Sequence, residues 1–119
     1  MSYVDGFVVP VPKDKLDAYR KMARKAGKLW REHGALEYVE CVADDTPAGK
    51  VTSFPRSVKL KPNEVVVFSY IVYKSRADRD RVNKAVQADP RLEKICDPKT
   101  PLFDLKRMIW GGFKPIVKL

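Results

Sequence analysis

One histidine, two cysteines and no apolar run longer than a handful of residues stand in a chain of 119 amino acids. Zinc and iron sites take several imidazole or thiolate donors at short spacing, and neither a CxxC nor a paired Cys/His pattern is present, so no metal and no tightly bound cofactor is expected. The apolar runs fall well short of the roughly 20 residues a helix needs to cross a bilayer. The opening MSYVDGF has no basic segment followed by an apolar one, which makes a cytoplasmic protein without membrane contact the expectation. Cys41 and Cys96 are then free thiols, and neither has the basic neighbour that would make it a nucleophile. Acidic residues are scarce as well: 15 Asp and Glu oppose 24 Lys and Arg, leaving a formal net charge of +9. A hydrophobic fraction of 45% excludes a disordered chain, and the length fits one domain, residues 1–119.

The patterns that are present read as alternating strands and helices. YVDGFVV, residues 3–9, is β-branched and aromatic, and the PVP that follows is expected to stop it. Over residues 13–33, Leu16, Tyr19, Ala23, Ala26, Gly27 and Trp30 recur at steps of three and four, predicting an amphipathic helix that Gly34 ends. ALEYVECVA, residues 35–43, is a second strand, and residues 44–62 form a long irregular connection punctuated by proline and glycine. EVVVFSYIVY, residues 64–73, is apolar almost throughout, as a central strand buried on both faces would be. Ser75 and Asp78 form a capping box opening a second helix that ends near Asp89-Pro90, with one further helical turn in RLEKIC. RMIWGGFKPIV, residues 107–117, reads as the last strand, its Gly111-Gly112 suited to a bulge or a close approach.

The order β-α-β-β-α-β is that of the ferredoxin-like split βαβ arrangement, α+β, with an antiparallel sheet and both helices on one face. Because residues 65–73 are apolar on both sides of the strand, the helix-free face also wants burial, and a homodimer packed sheet against sheet would supply it.

The stretches YVDGFVVPVP, GALEYVECVADD, TSFPRSV, VVFSYIVYKSRADRDRVNKAV, ADPRL and FDLKRMIWGGF, spread almost end to end, resemble the YbaA-like family of small bacterial proteins of unknown function. The resemblance implies a dimeric α+β barrel. The wider superfamily implied by that fold includes cofactor-free monooxygenases, haem-degrading enzymes and small-molecule binders, a breadth that fold alone does not narrow.

Polar groups on apolar strands are the first candidates for chemistry. Asp5, Glu40 and Arg107 form a candidate catalytic set, in which a buried carboxylate of raised pKa acts as general base and Arg107 orients an anionic substrate. An ion pair that fixes strand register or a dimer contact is the alternative. If the barrel interior is the face away from the helices, Asp5 and Glu40 face into it, and Ser69, Phe54, Trp110 and Tyr38 are candidate ligand contacts, with the 44–62 loop as a roof. The expected function is binding of a small organic ligand in an apolar pocket, either by a monooxygenase-like or isomerase-like enzyme or by a non-catalytic, stress-related binding module. A separate reading uses the first helix, where Arg20, Arg24 and Lys28 repel one another at i, i+4 spacing and could meet RNA or another nucleic acid; a solvated basic face is the bland reading of the same residues. His33, at the end of that helix, caps its negative pole.

Overall fold

The computed structural model describes residues 2–119 and arranges them as β1 (Tyr3–Pro12), α1 (Leu16–His33), β2 (Glu37–Val42), α2 (Phe54–Ser57), β3 (Glu64–Tyr73), α3 (Arg76–Ala88), α4 (Arg91–Ile95) and β4 (Ile109–Phe113). The strands form one antiparallel sheet ordered β2-β3-β1-β4, so the uniformly apolar β3 is an inner strand, as its composition requires. This is the expected ferredoxin-like α+β topology. Gly34 ends α1 at a φ of 123°, a conformation open chiefly to glycine. The hydroxyl of Ser75 accepts the Asp78 amide at 3.1 Å to start α3, while the Asp78 carboxylate turns to Arg81 at 2.7 Å instead of closing the capping box.

The PVP segment does not stop β1, which runs on through Pro12. Lys13 donates its amide toward the β3 side, to the carbonyl of Asn63, so the nitrogens of Pro10 and Pro12, one residue out of phase, point to the other side. There β4 reaches only as far as Val8, and a missing N–H leaves no acceptor unpaired.

Register assigns the two faces. Tyr3, Asp5, Phe7, Val9 and Val11 of β1 stand opposite Tyr73, Ile71, Ser69, Val67 and Val65 of β3, and this face carries α1 and α3. Tyr3, Ile71 and Tyr73 pack with Leu29, Val82 and Val86, and Val9, Val11 and Val67 pack with Tyr19 and Ala23. The opposite face holds Val8 and Val66 under Val58, a cover supplied by the 44–62 connection at one end of the sheet. Elsewhere it is bare, with Phe68, Ile109 and Phe113 exposed on it.

The helix-free face is therefore not where Asp5 and Glu40 point. Asp5 pairs with Ile71, and Glu40 with Ser69, both on the helix-covered side. The apolar alternation of β3 on both faces cannot choose between them; the inner residues of α1 and α3 do. Among the described residues, no helix is long and apolar enough to cross a membrane.

Candidate functional site

The candidate residues separate into three places. Asp5 is 1% exposed and lies below α3, its Oδ1 3.1 Å from Nε of Arg79 in an ion pair whose two facing atoms make no hydrogen bond. The Arg79 guanidinium also donates to the Tyr3 hydroxyl at 3.2 Å and lies 4.9 Å from the centre of that ring. Asn83 completes the cluster, accepting from the Trp30 indole at 3.0 Å and the Tyr73 hydroxyl at 3.1 Å and donating to Asp5 at 3.5 Å. Burial pushes the Tyr73 phenol up, and the neighbouring Asp5 adds to this. Gly112 of β4 lies against the Tyr3 hydroxyl and Arg79, where a Cβ would overlap both. This cluster ties α3 to the sheet by charge and hydrogen bonds.

Arg107 stands apart from both carboxylates with which it was grouped. Two guanidinium nitrogens donate to Glu64 at 2.7 and 2.6 Å, another donates to Asp104 at 2.9 Å, and the carbonyls of Val58 and Lys59 take further bonds at 3.3 and 3.1 Å. A side chain so occupied pins the lead into β4 onto the turn before β3. Its bidentate grip holds the Glu64 carboxyl below the usual carboxylate range. The roof is also elsewhere. Phe54 packs edge-on against Phe68, ring centres 6.0 Å apart, so the loop covers the helix-free face, where Phe54 and Cys41 line a cavity of about 200 Å³. Trp110 stacks on Phe7 at 6.5 Å at the β4 edge and is 61% exposed.

Glu40, Tyr38 and Ser69 do come together, beneath α1. Tyr19 of α1 donates its hydroxyl to Glu40 Oε1 at 2.8 Å, and Tyr38, two residues along β2 on the same face, donates to Oε2 at 2.8 Å. Burial nevertheless pushes the Glu40 carboxyl up, and the Tyr19, Tyr38 and Ser69 hydroxyls pull against that shift without cancelling it. Burial, reinforced by the Glu40 charge, raises both tyrosines as well, so they remain donors across the physiological range. Each Glu40 oxygen accepts one tyrosine and keeps capacity for another partner.

Above this trio runs an open groove of about 870 Å³ between α1 and the free edge of β2. Leu16, Ala23, Gly27, Tyr38, Val42 and Val67 supply its apolar surface, and Glu40 lies among them. The groove depends on Gly27: a Cβ there would fall 2.5 Å from Cδ1 of Tyr38, so only glycine lets the tyrosine ring lie flat under the helix. Tyr19 and Gly27 read in the sequence as two more positions on an apolar stripe. A glycine in mid-helix, which costs about 1 kcal/mol relative to alanine, was the signal that something presses close there.

His33, expected to cap α1, turns instead to the neighbouring helix: its Nε2 lies 2.9 Å from Oδ2 of Asp89, joining the end of α1 to the end of α3, while the amide of Gly34 meets the carbonyls of Trp30 and Arg31. Arg91 and His33 together hold the Asp89 carboxyl far below the usual carboxylate range.

Comparison with known proteins supplies a family and a fold. Residues 2–105 match the family described as "Protein of unknown function (DUF1428)". The chain is 54% identical over 117 residues to the uncharacterized protein YbaA of Escherichia coli K12, covering 98% of each chain, and equally so to that of Shigella flexneri. Among solved structures it is similar to a NIPSNAP family protein of unknown function from Agrobacterium tumefaciens, with a TM-score of 0.62 at 17% identity over 96% of this chain and 87% of that one. It is also similar to a dimeric ferredoxin-like protein from an uncultured marine organism, with a TM-score of 0.54 at 9% identity over the full length of both.

Proposed function

The chain belongs to the DUF1428 family, and from that premise we propose that it binds a small organic molecule in the groove between α1 and β2 and that Glu40 exchanges a proton with it. The observation that carries this reading is a half-buried carboxylate, raised by burial, held by two tyrosine hydroxyls in the apolar floor of a groove of about 870 Å³. A groove of that size with an apolar floor suits a ligand of ordinary metabolite dimensions. A carboxylate of raised pKa is a stronger base than an exposed one and is fit to take a proton from carbon or oxygen, the electron pair staying on the ligand. That step is common to isomerase-like and monooxygenase-like chemistry; without it the groove serves a binding module.

The protein acts as a homodimer in this reading, its bare sheet face covered by a second copy. Exposed Phe68, Ile109 and Phe113 on one face support it, as does the dimeric description of the marine ferredoxin-like relative. Asp5 and Arg107 enter as structural ion-pair residues, and Phe54 and Trp110 as packing groups, in place of the catalytic and ligand roles considered for them.

Fragment screening by amide NMR tests the site. Shifts clustered at Gly27, Tyr38, Glu40 and Val42, weakened in Glu40→Gln, are expected. Hits confined to the helix-free face, or to Trp110, would overturn the reading.

A further inference from the structure

The floor of the groove is apolar, but its α1 wall is not. Arg20, Arg24, Lys28 and Arg31 follow one another along that wall at steps of four, four and three, so they form a single stripe beside the cavity. Arg20 is taken up by Asp17 at 2.7 Å. Among the described residues, Arg24, Lys28 and Arg31 make no ion pair, whereas Arg79, Arg81, Arg91 and Arg107 each meet a carboxylate. Three stacked cations without counterions repel one another, and they do so at the mouth of a cavity that offers an apolar surface to whatever binds.

The charge of the whole groove limits what can satisfy them. Glu32, Glu37 and Glu40 line it too, so four basic residues stand against three acidic ones. Glu32 is engaged by Arg91 at 2.8 Å, and both oxygens of Glu40 are covered by tyrosine hydroxyls. Such a balance accommodates one negative charge at the α1 wall and repels a polyanion, whose further charges would run over Glu37 and Glu40.

Resting on the small-ligand reading of this groove, we propose that the ligand is an organic monoanion, a carboxylate with an apolar body. Its head group pairs with Arg24 and Lys28, and its body lies over Gly27, Tyr38 and Val42, within reach of Glu40. The basic stripe of α1, which in the sequence alone reads as a solvated face or a nucleic-acid contact, is in this proposal one wall of a small-molecule site.

Matched acid and alcohol pairs separate this claim from the reading beneath it. Octanoate and octanol, and 2-naphthoate and 2-naphthylmethanol, are titrated against the intact protein in 150 mM salt, with the amides of Gly27, Tyr38 and Glu40 as reporters. The acids are expected to bind about tenfold more tightly than their alcohols, as two solvent-facing ion pairs allow, and the double substitution Arg24→Gln, Lys28→Gln is expected to erase the difference while leaving the alcohols unchanged. Alcohols that bind the groove as well as the acids would overturn the monoanion and leave the groove intact. Failure of all four to shift the groove amides would overturn both. A single-stranded oligonucleotide that binds at 150 mM salt through Arg24 and Lys28, and more tightly than either acid, would overturn the monoanion in favour of a polyanionic partner.

Discussion

Asp5 and Glu40 project from the same face of one sheet, on strands separated only by β3, and their surroundings could hardly differ more. Asp5 is nearly inaccessible and faces a guanidinium, with an asparagine and three aromatic side chains completing a cluster under α3. Among the described residues no cation pairs with Glu40; it is held by neutral hydroxyls, under a helix thinned by Gly27, beside a groove open to solvent. A counterion cancels a buried charge and so makes a fastening. Hydroxyls only soften the cost of burial, which leaves a carboxylate basic enough to react and close enough to solvent to meet a ligand. The chemistry of a buried acid is thus set by what neutralises it: Asp5, like Glu64 under Arg107, is fastened by a cation, and Glu40 is not.

The contrast breaks most visibly at the ion pair. Asp5→Asn removes the buried partner of Arg79, leaving it only Asp80 at 2.9 Å, and is expected to destabilise the fold by about 3 kcal/mol, read as a lowered urea midpoint at unchanged m-value; adding Arg79→Met should restore much of the loss. Next in size is Gly27→Ala. The alanine gains about 1 kcal/mol of helix propensity, but its Cβ displaces the Tyr38 ring and overpacking of this kind costs about 1–3 kcal/mol, so a net loss of stability is expected together with a loss of ligand-induced shifts at Tyr38. Ser69→Ala, which removes one hydroxyl beside Glu40, should cost about 1 kcal/mol and raise the Glu40 carboxyl further, since that hydroxyl pulls it down.

The smallest effect is the dependence on pH. Because Glu40 is raised in the folded state above its ordinary 4.5, the folded chain binds the proton more tightly than the unfolded one. Its contribution to stability is then present below pH 4.5 and is lost as pH rises toward the raised value. Glu40→Gln should remove that decline, so the stability of the variant relative to the wild type is expected to improve from pH 4.5 upward in denaturation curves. A difference that shrinks over the same range would place Glu40 with Asp5 among the fastenings.

Much of the architecture was legible in the residues. The strand of residues 64–73 falls where its unbroken apolar run puts it, α1 and α3 follow their three-and-four spacing, and the short turn at RLEKIC is α4. The misjudged boundaries have local causes. Pro10 and Pro12 sit one strand-step apart with their nitrogens toward an unpaired edge, and β4 contracts to Ile109–Phe113 because Pro115 and the exposed residues after it have no strand to pair with. The site was legible in part. Glu40, Tyr38 and Ser69 stand out as polar groups on strands, but which face they share depends on where the helices land, and β3 is too uniformly apolar to say. Arg107 reads like a substrate anchor because its partner Glu64 is 43 residues away, a pairing created only by the turn before β3. Tyr19 was hidden by its own ring, which fills an apolar position while its hydroxyl reaches across to β2.

The most direct test of the difference between the two carboxylates is a titration of the Glu40 side-chain carbonyl by carbon-13 NMR in the wild-type protein. The account predicts a midpoint above 4.5, moving further when a ligand enters the groove. A midpoint at or below 4.5, indifferent to any compound that shifts the groove amides, would contradict it and make Glu40 a second structural acid.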